Sequence, residues 1–260
     1  MKEKIMEGIC KYCNQYKKLC KAHIIPKAFY NIEETPYIGL SKNGTVDCKY
    51  SQNGLKDDNI LCSECDAILG NYDKYGAEIL KNKVCKNLIA ENKNNERLYK
   101  LTKDAFDYTK LRKFFISVVW RASISKLCNV SLGKYEDTAL KIIKNEIKDD
   151  SNLFYPLIIH RPKDYKLKDI AYISEKRILN QKAILIAFPD YQISVITNCR
   201  PINNSNLLKL FLMNSEQLLV AETTQDVNET EFSLSYIINQ IKNKNGGSLP
   251  NLYLSKCNKF

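Results

Sequence analysis

Two cysteine pairs, Cys10-Lys11-Tyr12-Cys13 and Cys62-Ser63-Glu64-Cys65, constrain this 260-residue chain more than any other feature. Two residues between cysteines let both sulfurs reach one ion from a tight turn, and four thiolates complete a tetrahedral zinc site. About 48 residues separate the pairs, more than the roughly 15–20 of simple zinc arrays, so a substantial piece of structure is inserted between them. A small disulfide scaffold does not suit a chain of this length. Residues 1–7 lack the apolar core of a signal peptide. The longest strongly apolar run, 114–120, falls far short of the roughly 20 residues that span a bilayer. The sequence therefore reads as cytoplasmic, with reduced thiols and no membrane partner, and paired Cys-x-x-Cys in that setting indicates metal or redox chemistry. A second ligand set stays open at this point: Cys10, Cys13, Cys20 and His23, because Cys20-Lys21-Ala22-His23 also has ligand spacing. A thiol redox protein needs a βαβ setting, which this neighbourhood lacks.

The net charge of +11 favours a polyanionic partner, nucleic acid first. Hydrophobic residues at 44% allow a real core and exclude a disordered chain. Texture divides the chain into three. Residues 1–80 hold the cysteine pairs. Residues 81–150 read as a polar linker (81–103) followed by two helices, one capped by Asp104 and running to about Leu127, one at 134–149. Residues 151–260 read as a small α+β domain. Its elements are a strand at 153–160, a hairpin of 183–188 with 192–197 across Pro189-Asp190, a strand at 217–222 and a closing helix at 232–242. The apolar stripe ending at Trp120-Arg121 reads as core packing. The lysines near 100–113 and 141–148 read as a solvated face. His160 reads as structural or solvent-facing. Cys20, Cys48, Cys85, Cys128, Cys199 and Cys257 read as ordinary thiols.

The insert between the cysteine pairs opens with Ala22-His23-Ile24-Ile25-Pro26. It passes through a hairpin-like stretch, 37–40 and 45–50, joined by Lys42-Asn43-Gly44, and closes with Asp57-Asp58-Asn59-Ile60-Leu61. In this arrangement residues 8–80 resemble the zinc-containing HNH endonucleases, the ββα-metal or His-Me finger nucleases. Those proteins run Cys-x-x-Cys, then Asp/Glu-His-Ile-Ile-Pro, then Asn-Leu-x-x-Leu-Cys-x-x-Cys-Asn/His. The match falls on Cys10, Cys13, His23, Ile24, Ile25, Pro26, Asn59, Cys62 and Cys65. The stretch from Asp66 to Gly70 is similar to the Cys-Asn-x-x-x-Gly segment of one branch.

The resemblance implies an N-terminal zinc-knuckle ββα-metal module; with the helical middle segment and the C-terminal α+β domain read from the patterning, the whole chain is expected to be α+β. The resemblance implies structural zinc on Cys10, Cys13, Cys62 and Cys65. It implies His23 as general base, Asn59 holding the loop or orienting His23, and Asp66 as ligand of a catalytic magnesium or manganese ion. The chain departs from the pattern at Ala22, where the family carries an acid. Asp57, Asp58 or Glu64 is then expected to supply the missing oxygen, with Asp58 beside Asp66 at the catalytic cation; otherwise Asp66 and substrate hold the metal alone, or the site is dead. The expected activity is metal-assisted phosphodiester hydrolysis, in DNA rather than RNA, in a restriction or phage-defence setting. Residues 151–260 would then select substrate, form a homodimer or bind a partner subunit. The alternative is a decayed, zinc-stabilised module that binds nucleic acid or protein.

Overall fold

The computed structural model describes residues 6–30, 37–42, 45–50, 54–91, 97–147, 154–160, 170–178, 181–188, 191–197 and 217–222. Helices and strands are mixed, as expected of an α+β chain. The chain begins with β1 (Glu7–Ile9) and β2 (Tyr16–Lys18), an antiparallel ribbon. A two-residue strand β3 (Ala22–His23) follows. Then come β4 (Tyr37–Lys42), β5 (Thr45–Tyr50) and β6 (Lys56–Asp57), and β6 returns to pair antiparallel with β3. Helix α1 (Ser63–Ala77) leaves directly from Cys62.

Beyond α1 the chain runs through a π-helical turn at Glu78–Lys83 and a 3-10 turn at Val84–Lys86 into β7 (Leu88–Glu91) and β8 (Arg97–Thr102). Helices α2 (Tyr108–Ile124) and α3 (Glu136–Ile143) come next. The remaining described strands are β9 (Tyr155–His160), β10 (Ile170–Ile178), β11 (Gln181–Phe188), β12 (Tyr191–Ile196) and β13 (Gln217–Glu222).

One nine-stranded sheet, in the order β5-β4-β10-β11-β12-β9-β13-β8-β7, takes strands from all three texture segments of the sequence. Its pairs are antiparallel except β4 with β10 and β9 with β13. The hairpin expected around residues 189 and 190 is β11–β12, closed by the pair Phe188 and Tyr191.

Helix α2 lies at the centre, with every residue from Leu111 to Ala122 buried. A helix buried on all sides must satisfy its polar side chains internally. Ser117 Oγ accordingly donates to the carbonyl of Phe114 at 2.8 Å, and Lys113 donates to Asn145. Helix α1 packs across α2 at Gly76, where a Cβ would land 2.5 Å from the Phe114 ring. Phe29 stacks on Phe114 with centroids 5.6 Å apart and meets Phe188 of β11 at 4.2 Å, so one aromatic column joins α2, the chain after β3 and the sheet.

Several expectations need correcting. The polar segment 81–103 is not a linker: it carries β7 and β8, because β8 is held between β7 and β13 and its main partner lies more than a hundred residues downstream. Helix α2 is capped by Asp107 rather than Asp104. The Asp107 carboxylate accepts from the Lys110 amide at 3.0 Å, while Lys103–Ala105 forms a separate 3-10 turn. The second helix is shorter than 134–149, ending before Asn145, whose φ of 62° is left-handed. Strand β10 was not anticipated. The expected helix at 232–242, Cys199, Cys257 and the turns at 43–44 and 189–190 lie outside the described residues.

Candidate metal centre and the strand pair beside it

The β1–β2 ribbon folds Cys10 to Cys13 into a tight turn. The Asn14 amide donates to the Cys10 carbonyl at 2.8 Å, and Asn14 takes a left-handed φ of 57°. The second pair sits at the start of α1, with Cys62 immediately before the helix and Cys65 in its first turn. Backbone bonds stitch the halves together: Lys11 N to Ile60 O and Cys20 N to Leu61 O, both 2.9 Å. Lys17 pairs with Glu64 at 2.5 Å across the same seam. All four sulfurs come within 4.8 Å of one another. With zinc–sulfur bonds of about 2.3 Å a tetrahedron has edges of about 3.8 Å, so the four donors fit a zinc-sized ion.

Electrostatics point the same way. Burial pushes the Cys10 thiol up, but the amides of Cys13, Cys62 and Tyr12 outweigh it and bring the pKa down to about 7. Cys62 N lies 3.4 Å from Cys10 Sγ. Burial and the neighbouring cysteine sulfurs drive Cys65 strongly upward. Four thiolates cannot share one buried site without a cation, and metal binding displaces the protons. The rival ligand set is not the one that forms. Cys20 lies outside the converging group, its thiol pushed up to about 11 by burial and the charge of Asp66, with a hydrogen bond from Ser63 working against them.

His23 follows Ala22 on β3, opposite Lys56, while Ala22 stands opposite Asp57. Side chains alternate along a strand, so His23 and Lys56 share one face and Ala22 and Asp57 the other. Ala22 is fully buried. Asp57 is buried with it and is consumed there: Ser125 Oγ donates to it at 2.6 Å and the Asn59 amide at 2.8 Å. Asn59 Nδ2 donates to Asp58 at 2.6 Å and to Asp57 at 3.3 Å, so Asn59 ties the turn that leads into Cys62. Of the acids considered for the place of Ala22, Asp57 therefore faces away from His23 and Glu64 is held at the exposed seam with Lys17.

Asp66, in the first turn of α1, is half-buried. Burial raises its carboxyl, Arg121 lowers it, Asp73 raises it and Lys56 lowers it. The charges felt by Asp66 thus include the cross-strand neighbour of His23. Among the described residues, the four cysteines are the group of three or more His, Cys, Asp or Glu donors that converges. Asp58, the third acid considered, accepts from Asn59 Nδ2 at 2.6 Å.

The sequence reads Arg121 as the end of a packing stripe and assigns Asp73 no role. Arg121 of α2, 1% exposed at its side chain, forms a two-pronged pair with Asp73 of α1, Nη1 to Oδ2 at 2.8 Å and Nη2 to Oδ1 at 2.6 Å. The same Nη1 donates to the backbone carbonyl of His23 at 2.8 Å. A buried charge ending an apolar stripe was the available signal.

The stretch that carries the first cysteine pair and His23 is basic in sequence. Residues 8–31 contain Lys11, Lys17, Lys18, Lys21 and Lys27 and no acid. On the ribbon, the cross-strand pair Ile9 and Tyr16 is 52% and 70% exposed. No described helix is long and apolar enough to cross a membrane. Comparison with family models, with curated proteins and with solved structures finds no match to this chain.

Proposed function

We propose that the chain is a metal-dependent HNH-type endonuclease that hydrolyses phosphodiester bonds in DNA. The observation that carries this reading is the construction around His23. One antiparallel strand pair presents the histidine, the next helix carries Asp66 in its first turn, and the four-cysteine cluster fastens the strand pair's flanks to that helix.

In this reading zinc on Cys10, Cys13, Cys62 and Cys65 is structural, because four thiolates leave no open coordination position. Asp66 would hold a magnesium or manganese ion, which would supply positive charge at the scissile phosphate. Neutral His23 takes a proton from the attacking water. The water oxygen then bonds to phosphorus as the bond to the leaving sugar oxygen breaks. The acid-free lysine stretch at 8–31 gives the phosphate backbone a surface beside the histidine.

The test is cleavage of plasmid and single-stranded DNA with magnesium or manganese by wild type and His23→Ala, with zinc content measured on both. Loss of cleavage in a zinc-loaded variant supports the reading; equal cleavage by both proteins removes His23 from it. A specific observation favours a second reading. The buried methyl of Ala22 stands where the resembling nucleases carry an acid, which suits a zinc-stabilised module that binds DNA without cutting it. Salt-sensitive DNA binding with no cleavage by wild type would select that alternative.

A further inference from the structure

We infer that Arg121 and Asp73 are positioning residues that hold His23 in place against the face of α1 that carries Asp66. The inference rests on the nuclease reading above. Strand β3 has two residues and two cross-strand partners, too little pairing to fix a side chain within the tolerance that catalysis requires. The structure adds a third anchor. Arg121 grips Asp73 with two parallel hydrogen bonds and turns Nη1 to the His23 carbonyl at 2.8 Å, while its Nε donates to the Ser117 carbonyl at 3.2 Å. One planar guanidinium therefore joins α2, α1 and β3.

Asp73 lies seven residues, about two helical turns, beyond Asp66, so both point from the same side of α1. Fixing the His23 carbonyl to Asp73 fixes the strand relative to Asp66. A buried ion pair is a poor device for stability alone, since well-packed apolar side chains commonly do as well. What the fork provides is geometry, because its donors leave a rigid plane in set directions. A lysine at the same place has a single nitrogen on a flexible stem and cannot reproduce the fork.

The test uses the full zinc-loaded chain. One variant combines Arg121→Met with Asp73→Leu, removing both charges while filling the space; a second carries Arg121→Lys alone. Circular dichroism and elemental analysis establish fold and zinc content. Plasmid cleavage with manganese gives kcat and KM. Nitrogen-15 labelling of the two histidines follows the His23 ring directly.

The expected result is native zinc content and a KM within about threefold of wild type. kcat falls about 100-fold in the double variant and about 10-fold in Arg121→Lys, the scale set by a misplacement near 1 Å. The His23 ring signals shift or broaden while those of His160 stay. A double variant that folds and keeps kcat within threefold, or leaves the His23 signals unmoved, overturns the inference. If wild type cleaves nothing, the nuclease reading fails separately, and the His23 signals then decide the inference alone: displaced signals support it and unmoved signals overturn it. If the double variant does not fold, Arg121→Lys decides by the same readouts.

Discussion

Stripping the metal should unfold the cysteine-bearing corner and leave the sheet standing. All four sulfurs lie within 4.8 Å of one another, against a tetrahedral edge of about 3.8 Å, so each sulfur moves by less than about 1 Å to close on zinc. Side-chain rotation supplies that much without backbone change. Structural zinc in small modules binds with about 10–16 kcal/mol near neutral pH. Entire domains are stable by about 5–15 kcal/mol. The strands around the four cysteines have three, three, two and two residues, too short to persist by pairing alone. Helix α2 and strands β11 and β12 have their own buried packing and stay protected. Hydrogen exchange by mass spectrometry, with and without a zinc chelator, reads this difference. Peptides covering residues 8–24 and 56–66 should exchange about 100-fold faster without metal, while those in α2 and β11–β12 should hold. Elemental analysis should find one zinc per chain, lost in Cys65→Ser and kept in Cys20→Ser. Unchanged exchange in the knuckle after the metal is gone would show that the ion does not hold this corner, and loss of zinc in Cys20→Ser would put Cys20 among its ligands.

Three further outcomes are expected. Gly76→Ala should lower stability by about 1–3 kcal/mol, because its methyl meets the Phe114 ring. Gly70→Ala meets nothing within 4 Å and should add about 0.5–1 kcal/mol through helix propensity; thermal melts that rank the two the other way would contradict the α1–α2 packing described. Asp57→Ala strands the donors of Ser125 and Asn59 and should cost about 3 kcal/mol by denaturant titration, with Ser125→Ala costing about half; equal losses would argue against a carboxylate hub. Lys18→Gln and Lys21→Gln should each reduce the slope of log affinity against log salt for duplex DNA by about 1, leaving zinc content unchanged; an unaltered slope would place the DNA elsewhere.

The cysteine cluster was legible in the sequence because its chemistry is local: two residues of spacing define each half, and the halves differ only in where the chain brings them. The strands at 37–42 and 45–50 and the β11–β12 hairpin were legible for the same reason, each being a short apolar or β-rich run broken by turn residues. Strand β8 was not. Its mixture of Arg97, Lys100 and Thr102 with Leu98 and Leu101 looks polar until β13 and β7 close on both sides. Strand β10 hides similarly, because Glu175, Lys176 and Arg177 interrupt its apolar half. The fork of Arg121 on Asp73 showed only one half, a charge at the end of an apolar stripe, since its partner lies 48 positions away on a different helix. The opposed facing of His23 and Asp57 likewise needed the register of β3 with β6, which no spacing reveals.

The chain contains one tryptophan, and its position has an optical consequence. Trp120 is buried in α2 beside Arg121, and its ring meets Tyr12 edge-on with centroids 6.2 Å apart. Tyr12 stands between Cys10 and Cys13, inside the turn that closes on the ion. Any reorganisation of that turn therefore changes the surroundings of a lone indole. Red-edge excitation selects the indole over the 16 tyrosines, so its emission gives a label-free, real-time record of metal entering or leaving the cluster, taken from the residue adjacent to the arginine that grips His23.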